Sequence, residues 1–199
     1  MFVLTVDQRR SRRDIDRVPE LLDRYRDHGL IRPFDRTAGD EVQAVCEHAP
    51  TVVAITLELV STPQWSVGIG IGSVELPLPE TTRAGRGPAF EAARDAVTRA
   101  KGTPAALAVS GPETTAAEDA ETALTLVALL IGRRSDHGRE AVALVAGGLS
   151  QTDAAERLKI SKQAMSQRLS VAGWHVENAG RVLATRLLDA ANTTGSHRT

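Results

Sequence analysis

The chain has 199 residues, with 24 Lys+Arg against 25 Asp+Glu and a formal net charge of -1. Charged residues at 25% and hydrophobic residues at 42% exclude wholesale disorder. Aromatics at 3% exclude a stacking platform for single-stranded nucleic acid, and the near-zero net charge excludes an all-over basic coat, while leaving room for a local basic face.

Phe2-Val-Leu-Thr-Val reads as a short buried strand ending at Asp7, with a basic loop, Gln8-Arg-Arg-Ser-Arg-Arg, after it. The apolar stretch is short and its charges follow it, unlike a signal peptide, so the chain reads as cytoplasmic. A helix is expected from about Asp16 to His28, with Pro19 in its first turn and Gly29 as its stop. Two strand-like runs, 30–34 and 41–46, flank Arg36-Thr-Ala-Gly-Asp40 and predict a hairpin turning at Gly39-Asp40. Cys46, the single cysteine, reads as a small buried hydrophobe. Pro50 opens a helix to about Leu59, and Trp65 to Val74 is a strand whose glycines mark close approach of another backbone or a ligand. Residues 76–87 are loop, 88–100 a helix with Phe90, Ala93 and Val97 on one side, and 105–109 a last strand. The order contains a split βαβ, so the expected fold class is α+β, with a ferredoxin-like domain over 1–110.

Composition shifts after Ser110. From Glu113 to Glu121 there are four acids and no base, and no strand pattern follows. The expected division is a linker at 111–118 and an all-α domain over 119–199, fraying from Asn192. Its most apolar window, 120–132, is too short to span a bilayer and contains Glu121, so no membrane insertion is expected. That helix reads as the spine of the domain or as a dimer helix.

The strongest signal lies between Gln151 and Leu169. Ser150 caps a short helix carrying Ala154, Ala155 and Leu158 inward; Lys159 and Ile160 turn; Ser161 caps a second helix carrying Ala164, Met165 and Leu169 inward. Outward stand Ser161, Lys162, Gln163, Ser166, Gln167 and Arg168, with Gln151 and Thr152 opening the first helix. Gln pairs bidentately with adenine, Arg with guanine, and Ser or Lys with phosphate, so these eight residues are the candidate contacts to duplex DNA. Six bases against three acids over 151–186 agree. The segment resembles the helix-turn-helix of bacterial regulators, with Lys159 where that family usually has a Gly in a left-handed turn. A non-Gly residue there costs about 1–2 kcal/mol. Such regulators commonly read two half-sites, which implies a homodimer.

In the N-terminal half, Asp7 at a strand end and Asp40 in the hairpin turn are brought side by side if the strand pairs with the hairpin. Two adjacent carboxylates repel unless a cation shares them, which makes them candidate ligands of a hard metal. The arginines after Asp7 are candidates for phosphate oxygens. Arg36-Thr-Ala-Gly-Asp-Glu-Val42 resembles the hairpin signature of nucleotide cyclases, both GGDEF and class III. Val67-Gly-Ile-Gly-Ile-Gly-Ser-Val74 and Gly87-Pro-Ala-Phe-Glu-Ala-Ala-Arg94 are similar to the strand and helix that follow in class III. The whole layout, with its appended helix-turn-helix, is similar to the SatD family. The resemblance implies a nucleotide near Arg9, Arg10, Arg36 and Arg94, and Mg or Mn on Asp7 and Asp40. The cyclase helix carries an Asn that stabilises the transition state; the nearest residue here is Glu91, and Ala38 replaces the first Gly of GGDEF. Those departures imply that no catalytic residue set is retained.

The reading is thus a transcription regulator with a ligand-sensing or dimerising N-terminal domain. The competing readings are a metal-dependent nucleotidyl cyclase or transferase with a DNA-localising tail, and an adaptor whose sheet docks a protein.

Overall fold

The structure, a computed structural model, describes residues 1–196. It is α+β, built on a five-stranded mixed sheet in the order β2-β3-β1-β4-β5. The strands are β1 (Phe2–Gln8), β2 (Arg32–Ala38), β3 (Glu41–Cys46), β4 (Trp65–Ile71) and β5 (Leu107–Ser110). β1 lies between β3 and β4, antiparallel to both; β2 pairs antiparallel with β3, and β5 is parallel to β4.

The hairpin turns at Gly39-Asp40, as its residues predict, with Gly39 at φ +59°. β2 runs to Ala38, four residues past the expected end, with register shifts on both sides of Asp35-Arg36. It is an edge strand, which is why Pro33 is tolerated within it. The first helix, α1, covers only Val18–Arg24, because Tyr25 leaves the helical backbone as its side chain turns into the core. α2 (Ala49–Val60) and α3 (Pro88–Ala100) lie where the sequence puts them. β4 ends at Ile71 rather than Val74, and β5 begins two residues late.

Alternation along the strands divides the interior into two faces. Phe2, Leu4 and Val6 of β1 join Val67, Ile69 and Leu107 in the main core with α1 and α2. Val3 points the other way, to Ala89, Phe90 and Ala93 of α3. There α3 lies almost backbone to backbone on β4: a Cβ on Gly68 would fall 2.2 Å from Val97 N, and one on Gly70 2.1 Å from Ala89 O. Of the two reasons the sequence allows for these glycines, the approaching group is helix backbone.

Residues 114–118, expected within a linker, form the first turns of α4 (Thr114–Gly132). α4 and α8 (Trp174–Ser196) pack antiparallel on α2 and enter the main core through Leu124, Val127, Ala184 and Leu188. Glu121 fastens α4 to the sheet's β5 edge: its carboxylate accepts from Val109 N at 2.8 Å and from Arg99 Nη2 at 3.0 Å. The Met1 ammonium donates to Asn192 Oδ1 at 2.7 Å, tying the start of β1 to α8. Helix therefore continues through the residues expected to fray up to Ser196, and 197–199 lie outside the described residues.

Between α4 and α8 the chain forms α5 (Asp136–Ala146), α6 (Gln151–Arg157) and α7 (Lys162–Val171), which share a separate small core. Among the described residues no helix is long and apolar enough to cross a membrane.

Candidate functional site

Two places gather the residues singled out by sequence. The first is the α6–α7 pair. Ser150 Oγ accepts from Asp153 N and Ser161 Oγ from Ala164 N, each at 3.1 Å, so both helices start at the predicted hydroxyl caps. α6 stops in a Schellman turn: Ile160 N donates to Ala155 O and Lys159 N to Glu156 O, each at 3.0 Å. Lys159 sits at φ +52°, in the left-handed conformation that its place in the turn demands.

Beneath the turn, Ala154, Ala155, Met165 and Leu169 are buried with Ala141 and Val142 of α5, and Leu158 and Ile160 pack on their edge. α5 is therefore a third supporting helix. The N-terminal two turns of α7 present Ser161, Lys162, Gln163, Ser166 and Gln167 exposed and Arg168 half-buried, a surface of donors and acceptors. Gln151 is exposed and Thr152 half-buried at the start of α6, next to the same turn.

A buried ion pair anchors this unit to the rest. Arg134, following α4, donates from Nε to Ala172 O at 2.8 Å and pairs through Nη2 with Glu177 of α8, both side chains less than a tenth exposed. Arg181 Nε donates to the same carboxylate at 2.7 Å. Burial pushes the Glu177 carboxyl up, but the hydrogen bonds from Arg134 and Arg181 outweigh it and hold it below the usual value.

The second place is a cleft of about 590 Å³ at the end of β1, lined by Asp7, Asp40, Ser66, Arg9, Arg10, Arg13 and Lys101 among others. Strand pairing brings Asp7 and Asp40 together as expected, for Asp7 lies opposite Glu41, next to Asp40. Gln8 holds the basic loop in place, donating from Nε2 to Ile15 O at 2.7 Å and accepting at Oε1 from Arg17 N at 2.9 Å. Arg10 sits at φ +60°, an uncommon conformation for a residue with a side chain. Ser66, opposite Asp7, is fully buried and its hydroxyl has no hydrogen-bond partner.

Sequence reasoning missed Lys101. It caps α3, and its Nζ stands 2.7 Å from Asp7 Oδ2. The residues do not fit a divalent cation as they stand: an ammonium already neutralises Asp7, and no group of three His, Cys, Asp or Glu side chains suited to a metal occurs among the described residues. Four cations against two carboxylates leave the cleft with an excess of positive charge, which favours an anion. Arg36 and Arg94 do not line it. Arg36 binds Asp16 at 2.6 Å and the Gly39 carbonyl, and Arg94 is exposed on α3. Arg36 in turn holds the Asp16 carboxyl below its usual range.

Compared with family models, curated proteins and solved structures, the chain matches none.

Proposed function

We propose that this protein is a cytoplasmic DNA-binding transcription regulator. In this reading α6 and α7 form a helix-turn-helix whose second helix enters the major groove of duplex DNA, and the chain works as a homodimer on two half-sites. The observation that carries it is the polar surface of α7 over a turn with both caps made, the left-handed Lys159 and a buried three-helix core. Lys162 and the serines suit phosphate, and Gln163, Gln167 and Arg168 suit base edges.

The strand order β2-β3-β1-β4, antiparallel throughout, supports a ferredoxin-like, cyclase-related module. Its role in the proposal is sensing: a nucleotide or another phosphate-bearing anion is held at Arg9, Arg10 and Lys101 without a resident metal. Selection from a genomic DNA pool, followed by anisotropy titration at several salt concentrations, tests the DNA reading. Gln163→Ala and Arg168→Ala should each weaken specific binding by about 1–3 kcal/mol while leaving the fold intact. Absence of any salt-dependent DNA binding overturns it.

One observation favours a second reading, a nucleotidyl cyclase or transferase: Asp7 and Asp40 do share a cleft with arginines. Product formation from nucleoside triphosphates with Mg or Mn, lost in Asp7→Ala, would select that reading instead.

A further inference from the structure

The α4/α8 pair covers one side of the core and turns its other side to solvent. The antiparallel register is set where Val127 of α4 meets Gly180 of α8 and Leu130 meets Gly173, in the turn just before α8. On the outward side, large apolar residues stand in the open: Leu126 is 65% exposed on α4, and Val176 and Leu183 are 65% and 48% exposed on α8. By the nearer of these contacts, Val127 with Gly180, Leu126 and Leu183 lie within about one helical turn of the same level. Single exposed leucines need no explanation, but a patch shared by two adjacent helices does.

The charges around the patch say what covers it. Asp119 lies seven residues before Leu126 and Arg133 seven residues after it, so all three fall on one stripe, two turns apart. Both charged residues are exposed, and neither enters an ion pair found among the described residues. A stripe ordered acid, apolar centre, base is self-complementary when a second copy lies antiparallel on it. The acid of each copy then faces the base of the other, twice by symmetry.

We propose that the protein dimerises through this surface, with a twofold axis passing near Leu126 and Leu183. Each α4 lies antiparallel on the partner's α4, each α8 on the partner's α8, and Asp119 of each copy meets the Arg133 of the other. This deepens the homodimer part of the proposed function by naming its interface, and it stands without any assumption about DNA. The two α6–α7 units are then carried by one rigid four-helix layer, since Arg134 and Glu177 fasten each unit to its own α4 and α8.

The test is sedimentation equilibrium of the full chain without DNA, with far-UV circular dichroism confirming that each variant is folded. The wild type should be a dimer, and Leu126→Glu should convert it to monomer with an unchanged spectrum. Asp119→Arg and Arg133→Asp should each raise the dimer dissociation constant about tenfold or more by placing like charges together. The double variant Asp119→Arg/Arg133→Asp should return it to near the wild-type value. A monomeric wild type overturns the proposal and leaves the face to a different protein. A dimer indifferent to Leu126→Glu places the interface elsewhere, and failure of the double reversal to recover affinity overturns the antiparallel register. DNA binding by a monomeric wild type would sink the interface while sparing the DNA reading.

Discussion

Lys101 Nζ stands 2.7 Å from Asp7 Oδ2, a contact made across 94 residues of chain by the cap of α3 and the end of β1. The pair sets a protein cation against one of the two carboxylates that, taken alone, would have called for a metal. It also leaves the guanidinium groups of the neighbouring loop facing a cleft with few acids to balance them.

The cleft should therefore bind pyrophosphate in the presence of EDTA. Lys101→Met is expected to lower that affinity about tenfold, or ~1.4 kcal/mol, and Arg10→Ala by a similar factor, as read by titration calorimetry. Binding that appears only when Mg or Mn is added would refute the metal-free arrangement.

Gly68→Ala should cost about 3 kcal/mol, the upper part of the usual range for overpacking. The new methyl would meet the backbone of Val97 at 2.2 Å, and helix backbone does not move aside as a side-chain tip does. A fall in the urea midpoint checks this, with Gly39→Ala, which meets nothing within 4 Å but carries its own φ of +59°, as a conformational control.

Glu177 has its carboxyl held below the ordinary glutamate value in the folded chain. A carboxyl with a depressed folded value contributes stability above its unfolded value of about 4.3, and loses it as pH falls through the folded value. Unfolding free energy should therefore drop on acidification below about pH 4.3, and Glu177→Gln should flatten that slope. Arg134→Leu leaves the buried carboxylate with Arg181 alone and should destabilise the chain by about 3 kcal/mol at neutral pH. Unchanged urea midpoints for Arg134→Leu would show that Arg181 suffices.

Lys159→Gly should stabilise the α5–α7 unit, because φ +52° is strained for lysine and free for glycine. The gain expected is about 1 kcal/mol, visible as a higher thermal midpoint.

Much of the fold was legible because its cues are local. The caps Ser150 and Ser161, the Lys159 turn and the Gly39-Asp40 hairpin each depend on hydrogen bonds spanning a few residues. The adjacency of Asp7 and Asp40 was also legible, since it needs only that β1 pair with the hairpin. Arg36 and Arg94 were not: Arg36 is taken by Asp16, twenty residues away, and Arg94 is carried outward on α3. Lys101 escaped notice because nothing near it in the chain differs from an ordinary helix end.

The sequence alone determined the helical hairpin of α6 and α7, its polar surface and the alternation of the strands, because short-range hydrogen bonding and side-chain periodicity act within a turn or a strand. Only the tertiary structure decided that residues 114–118 begin a helix joined to the sheet's own core, that Lys101 reaches Asp7, and that Leu126 and Leu183 are left exposed on the paired helices α4 and α8. Those outcomes depend on which surfaces pack together across the whole chain. A side chain's neighbours in sequence carry no record of that choice.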